Sequence, residues 1–244
     1  AGGALTLGAA IGWARGDIAL GSNGGGGDQS SLMGSVTARY AGDKASVGAG
    51  VIYGKVDQDT VRNISFNGFS GAVSGATDSK VFGAFAELGL PLGSSGGWAF
   101  SATGRGAYLR QVQDAYTESG NSPLRLQVGK LTTETLEGQL RLTGKTKLWS
   151  GDQGGGESGE GLDLRIDIGG RYLGALGDRA IPVTFAASGA GVVLQGDTRD
   201  SLQGLAGLAL DYTTRGGATF SLGYRGEVGQ TDRHAIHAGL SFAF

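Results

Sequence analysis

The chain has 244 residues, including 50 Gly, 3 Pro, 2 His and no Cys, and its 20 Lys+Arg against 22 Asp+Glu leave a formal charge of −2. Without Cys there can be no disulfide scaffold, thiolate-bound zinc, iron–sulfur cluster or thiol catalysis, and the charge balance argues against an electrostatic nucleic-acid binder. No apolar run reaches the 18 residues of a membrane-spanning helix, no Gly-X-Y period makes a collagen, and the first residues lack the basic start of a signal peptide.

A Gly content this high suits helices poorly, because each interior Gly costs a helix about 1 kcal/mol relative to Ala. Period two fits instead. Ten alternating segments follow along the chain: 4–14, 31–41, 45–55, 80–92, 97–110, 133–148, 162–174, 201–213, 217–228 and 234–244. In 133–148, Leu136, Leu140, Leu142 and Leu148 alternate with Glu137, Gln139, Arg141, Thr143, Lys145 and Lys147. In 162–174, Leu162, Leu164, Ile166, Ile168 and Tyr172 alternate with Asp163, Arg165, Asp167 and Arg171. The last segment sets Ile236, Ala238, Leu240, Phe242 and Phe244 against Ala235, His237, Gly239, Ser241 and Ala243. Such segments are longer than the 5–6 residues usual in soluble strands and match the roughly 9–11 that cross a bilayer at a tilt. The connections near 42–44, 93–96 and 214–216 are short, whereas 15–30, 56–79, 111–132 and 175–200 read as long polar loops. That alternation predicts an all-β fold, an antiparallel transmembrane β-barrel of the outer-membrane type. The acidic Gly-rich stretch 149–161 is an exception, since it is long but lies on the short-turn side.

The aromatic residues give an independent test. With the C-terminus at the inner end, the upward segments carry Trp13, Tyr53, Tyr108, Tyr172 and Tyr224 near their upper ends, and Tyr40, Tyr212 and Phe244 close lower ends, all in the apolar register. Aromatic girdles at two heights are expected of such barrels, because the rings are apolar at one end and polar at the other. The opposite register supplies candidate lumen-lining groups: Arg39, Glu87, Arg105, Glu137, Arg141, Lys145, Asp163, Arg165, Asp167, Arg171, Arg225 and Glu227, with Lys147 and Asp211 beside them. Charges of both signs there need water, each other or a bound segment. The two readings are a mutually paired wall and a hydrated channel holding a polar peptide.

Motifs for other chemistry are thin. Thr143-Gly144-Lys145-Thr146 lies mid-strand, and Gly138 is one position too far back for a phosphate loop. No Gly-x-Ser-x-Gly occurs, and the two imidazoles are His234, beside Asp232, and His237. Asp57-Gln58-Asp59 starts like a calcium loop but lacks the later Gly and Glu. No catalytic, cofactor or metal residues are assigned.

Four pieces carry a resemblance: LTLGAAIGWARGD (5–17), AYTESG (115–120), the stretch 185–200 running into GDTRDSLQGLAGLAL (196–210), and SLGYRGEVGQTDRHAIHAGLSFAF (221–244). Together they resemble the translocator β-domain of autotransporters, the type V secretion family, over nearly the whole chain. The resemblance implies one domain, 1–244, in the bacterial outer membrane. It implies a monomeric translocator and anchor without enzymatic activity or cofactor, through which an N-terminal passenger reaches the cell surface. The implied partners are outer-membrane lipid, the chain's own passenger and linker, the barrel-assembly machinery and periplasmic chaperones, with no nucleic acid. Ile236, Leu240, Phe242 and Phe244 then form a C-terminal assembly signal. The family barrel has twelve strands and a lumen helix, against ten segments here and no helix. The favoured reading places two strands and the helix upstream in the precursor, and closure at ten strands is the alternative. A porin-like channel and a barrel-rim protease or lipase are the competing functions.

Overall fold

The computed structural model describes residues 3–19, 24–151, 160–177, 179–196, 200–230 and 232–242. In chain order the strands are β1 (Ala4–Ala19), β2 (Gly25–Ala41), β3 (Ser46–Phe66), β4 (Phe69–Ser95), β5 (Trp98–Gln113), β6 (Tyr116–Thr117), β7 (Leu126–Val128), β8 (Leu131–Ser150), β9 (Gly161–Leu176), β10 (Ala180–Phe185), β11 (Gly191–Gln195), β12 (Ser201–Thr213), β13 (Ala218–Val228) and β14 (Arg233–Phe242). Every alternating segment of the sequence becomes a long strand over its described residues, the last as far as Phe242. Ten of them form one sheet in the order β1-β2-β3-β4-β5-β8-β9-β12-β13-β14, and every neighbouring pair is antiparallel. The sheet curls into a half-barrel. No pairing joins β1 to β14 among the described residues, so these two strands are its edges.

The direction of the curl follows from crowding. On the apolar face, a Cβ added to Gly106 or Gly138 would meet nothing within 4 Å. On the polar face, a Cβ at Gly50 would stand 2.6 Å from the Phe85 ring, and one at Gly54 or Gly83 would strike Met33 or Ile52. Side chains converge on the concave side and splay on the convex side, so the polar register faces inward. Glycine there leaves room for large neighbours at close strand spacing. The convex face carries exposed Leu7, Val36, Leu140, Ile168, Leu202 and Ile236. That distribution suits hydrocarbon contact and would be costly in water.

The register also records strand tilt. Trp13 of β1 lies opposite Leu32, and Tyr53 of β3 lies opposite Gly34. Tyr53 then faces Phe82, and Tyr108 of β5 faces Ala84; Tyr108 faces Leu136, and Tyr172 of β9 faces Gly138. Each second strand therefore moves the aromatic position by two residues along the ladder. Tilted strands need such a stagger to keep one height, and the shear of a barrel requires the tilt. The step from Tyr172, opposite Leu202, to Tyr224, opposite Leu208, is six residues, so Tyr224 sits deeper than the rest.

Two expected loops are strand. β3 and β4 run through 56–79 and meet at Asn67-Gly68, with φ of 42° and 81°. Positive φ at both central residues is the signature of a tight two-residue hairpin turn. The alternation persists there but inverts in polarity. Lys55, Asp57 and Asp59 are exposed on the convex side, and Val56, Ile64, Val73 and Val81 are buried on the concave side. A strand that leaves lipid for water does this, and polarity alone made it read as loop. Likewise β1 reaches Ala19 and β2 begins at Gly25, with 20–23 outside the described residues. Asp57-Gln58-Asp59 is thus part of a strand and not a solvated loop.

The stretches 111–132 and 175–200 contain the four short strands, in a second sheet ordered β11-β10-β7-β6. The opposite end has tight connections: 42–45, the Gly96-Gly97 turn with φ of 58° and 83°, and 214–217. The connection 151–160 is also at that end, with 152–159 outside the described residues. Short turns mark the periplasmic end of such a sheet and long loops the extracellular end.

Candidate functional site: the lumen wall and its aromatic rims

Inward charges are brought together chiefly on β8, β9, β12 and β13. Lys145 Nζ lies 2.9 Å from Asp163 Oδ2, and Thr143 Oγ1 donates to Asp167 Oδ1 at 2.6 Å. Arg165 Nε is 3.7 Å from Asp167. Arg171 reaches across β12: it donates to Gln203 Oε1 from Nε at 3.1 Å and from Nη2 at 2.5 Å, and Nη2 also donates to Glu227 Oε2 at 2.7 Å. Ser221 Oγ donates to Asp211 Oδ1 at 2.7 Å. Arg141 donates to Gln139 at 3.5 Å, and Arg39 to Ser46 at 3.4 Å. The Arg105 guanidinium lies over the Phe85 ring at 4.6 Å. Glu87 sits opposite Arg105 in the ladder, and Lys147 opposite Asp163. Glu87, Glu137 and Arg225 share the polar face and make no ion pair among the described residues. The wall is therefore partly self-paired, and it retains charges of both signs open to the lumen.

Gln203 and Phe85 escape a reading based on charge. Gln203 is 5% exposed and holds two guanidinium nitrogens of Arg171 in place. Its inward parity was the available signal.

All seven girdle residues lie in the convex register, and four phenols find polar partners. Tyr108 donates to Glu134 Oε1 at 2.7 Å, Tyr172 to Asp200 Oδ2 at 2.5 Å, and Tyr212 to Glu160. Tyr224 Oη lies 2.6 Å from His234 Nδ1, with the two rings stacked. Trp13, Tyr40 and Tyr53 are exposed. Each satisfied phenol points its polar tip out of the apolar band while its ring stays in it. The inner rim also contains Trp98, Phe100, Trp149 and Phe220, which parity counting did not collect. Trp149 was hidden by a bulge. Leu148 is an extra residue between the Lys147–Asp163 and Trp149–Leu162 pairs, and it returns Trp149 to the outer face.

Ile236, Leu240 and Phe242 alternate on the convex face of β14, while Phe244 lies outside the described residues. His237 is inward, opposite Gly223, and His234 faces outward against Tyr224. The Asp232 carboxylate accepts from the Gly229 backbone at 3.2 Å. A hydrolytic pair would need carboxylate and imidazole aimed at one point, and here they serve a turn and a rim. Thr143-Gly144-Lys145-Thr146 lies within β8, where no helix N-terminus follows to cradle a phosphate.

Above the membrane band, the second sheet is fastened to the β3–β4 hairpin. Ser74 and Ser119 exchange backbone hydrogen bonds at 3.1 and 2.7 Å. Arg62 of β3 donates to both Glu118 oxygens, at 3.0 and 2.6 Å, and to the Leu124 carbonyl at 2.9 Å. Glu118 also accepts from Leu126 N at 2.7 Å. Tyr116 packs on Gly75, where a Cβ would stand 2.6 Å from its ring. Burial, aided by the Glu118 charge, pushes its phenol above the usual range.

No curated protein matches this chain. The autotransporter beta-domain family matches residues 1–225, spanning the sheet from β1 into β13. With a ten-stranded antiparallel half-barrel, an apolar convex face and a charged concave wall, the chain belongs to the autotransporter beta-domain family and is an outer-membrane translocator domain.

Proposed function

We propose that this barrel carries an N-terminal passenger to the cell surface through its lumen and then anchors it. The observation that supports this reading most is the inner wall. Its continuous polar face has both charge signs, partly self-neutralised through Arg171, Gln203 and Glu227, and open at Glu87, Glu137 and Arg225. Such a wall solvates an extended peptide of mixed composition without holding it tightly, because paired charges neither collapse the lumen nor demand a counter-ion. The work comes from barrel folding and insertion.

The two edges fit a lumen completed by further strands. β1 and β14 each present an unpaired backbone row, and two upstream strands with a lumen helix close the seam and thread the linker. In this reading β14, with Ile236, Leu240 and Phe242 on its lipid face, is read by the barrel-assembly machinery after delivery by periplasmic chaperones. Closed in this way, the barrel is a monomer.

The test is surface display. The full-length protein, with an epitope in its passenger, is expressed in a Gram-negative host, and intact cells are probed with antibody and protease. Epitope exposed on intact cells supports the proposal. A folded barrel with the epitope retained in the periplasm overturns it. Steady open-channel conductance of the complete protein would instead favour a porin.

A further inference from the structure

The convex face carries a row of cations immediately outside the outer aromatic rim. Lys55 lies two residues beyond Tyr53 on β3, Lys80 two beyond Phe82 on β4, and Arg110 two beyond Tyr108 on β5. Arg15 repeats the step beyond Trp13 on β1. All four are in the lipid-facing register and follow the tilt of the aromatic row. Lys55 and Lys80 are directly opposed in the ladder, and Arg110 is diagonal to Lys80, whose own partner is Val112. Side chains at opposed positions start about 5 Å apart, and at diagonal positions about 7–8 Å.

Opposed like charges weaken a sheet unless an anion sits between them. The carboxylates at hand do not remove the strain. Beside Lys55, Lys80 and Arg15 they form the next rung outward, where Asp57 opposes Asp78 and Asp17 opposes Asp28. The pairs linking the two rungs are long and open to water: Lys55–Asp78 is 3.9 Å and Arg15–Asp28 is 3.8 Å. Arg110–Glu134 is closer at 3.3 Å, and Lys80 makes no ion pair among the described residues. On β1, β3 and β4 charge is thus sorted by height, with cations at the level where acyl chains end and carboxylates above it; on β8, Glu134 stands at the cation level, directly opposite Arg110. The row is also one-sided. The corresponding positions on β8, β9 and β14 are Glu134, Gly174 and His234.

We propose that Lys55, Lys80 and Arg110, flanked by Arg15, bind the phosphate groups of a phosphorylated glycolipid in the outer leaflet. The inference rests on the membrane placement of the barrel. Three cations within reach of one headgroup match more than one unit of negative charge, as a phosphate monoester carries. The guanidinium adds a bidentate grip that an ammonium lacks. The aromatic row beneath contacts the apolar shoulder of the same lipid. The carboxylate rung sets the depth, because a phosphate one rung higher meets repulsion.

The test uses the full-length protein purified from outer membranes in detergent, titrated by native mass spectrometry with bis-phosphorylated lipid A, its dephosphorylated form, and phosphatidylglycerol. Each basic group near an anionic lipid is worth roughly a fivefold change in binding. The wild type is expected to prefer bis-phosphorylated lipid A by about tenfold or more, and K55Q/K80Q/R110Q to lose that preference. The variant D57N/D78N, which removes competing carboxylates, should bind more tightly than wild type. Equal binding of phosphorylated and dephosphorylated lipid A, or an unchanged triple variant, overturns the site. Equal preference for phosphatidylglycerol overturns the glycolipid in favour of anionic lipid in general. Heat-modifiable gel mobility on the same samples reads barrel integrity, so loss of the barrel is distinguished from loss of the site.

Discussion

Leu140 and Gln139 are sequence neighbours in β8, and the fold sends them to different solvents. Leu140 stands on the convex face at 73% exposure, and Gln139 points to the lumen, where Arg141 donates to it. Leu140→Arg places a cation in hydrocarbon and should cost about 2–4 kcal/mol if the position is near the midplane. Gln139→Arg should change stability by well under 1 kcal/mol, because the lumen is wet. Reversible urea unfolding of the full-length barrel in detergent measures both, and equal costs would contradict the assignment of faces. Arg171 and Glu227 are a different case. Their side chains are 16% and 15% exposed, and Gln203 holds the guanidinium between them. Removing one partner strands the other, so the R171M/E227Q double variant should be less destabilised than the sum of R171M and E227Q alone. A coupling of about 0.5–3 kcal/mol is expected from a double-mutant cycle. A coupling near zero would mean that lumen water solvates each group separately.

At the scale of elements, the hairpin β3–β4 ends in Asn67-Gly68, where Gly68 has φ of 81°. Gly68→Val forces a branched side chain into left-handed backbone at about 1–2 kcal/mol or more. The strain is local to the tip, so protease should nick near 66–69 faster while gel mobility of the barrel is unchanged. The Arg62–Glu118 clamp is a stronger case, because Glu118 is only 7% exposed. Arg62→Met leaves that carboxylate without its cation, at about 2–3 kcal/mol, below the range for fully buried pairs because Arg62 itself is about a third exposed. The expected result is faster proteolysis within 114–130 and an intact barrel, and protection equal to wild type would show that the backbone bridge at Ser74 suffices.

These elements also show where sequence was legible. The ten strands, their order and their inward charges follow from a period of two, because within lipid each side chain has one acceptable face. Above Tyr53 that constraint lapses: Val56 and Ile64 turn inward and Lys55 and Asp57 outward, so the same alternation looks like a polar loop. Asn67-Gly68 was the local signal that could have joined the two halves into one hairpin. The small sheet of β6, β7, β10 and β11 had no such signal. Its strands are two to six residues long, and the ladder that joins its two halves, β7 with β10, pairs across 57 residues of chain, as at Thr184 with Gln127, which no local pattern encodes. Two partners of the rim tyrosines, Asp200 and Glu160, were hidden for a related reason, since each lies just outside the alternating runs 201–213 and 162–174.

On the scale of the whole molecule, the open seam decides what the ten strands can be. β1 has 16 residues and β14 has 10, and alternate residues along each free edge direct N–H and C=O groups away from the sheet. Facing lipid, each unsatisfied group costs several kcal/mol, whereas a domain's net stability is only about 5–15 kcal/mol. A handful of such groups already exceeds that margin, so an open half-barrel is not a stable membrane species. The seam must be closed by β1 against β14 or by additional strands between them. Because the chain has no Cys, introduced pairs give a clean report. In the full-length protein, Cys at Ala9 on β1 combined in turn with Cys at Ile236, Ala238 or Leu240 on β14 should give no disulfide if further strands intervene. Residues 1–244 alone should then show no heat-modifiable shift, and upstream residues should restore it. A disulfide in one register, with a full shift from 1–244 alone, would instead establish a barrel closed at ten strands. That outcome would leave the lumen narrower and place the linker against the Arg171–Glu227 wall without strands from outside the present sheet.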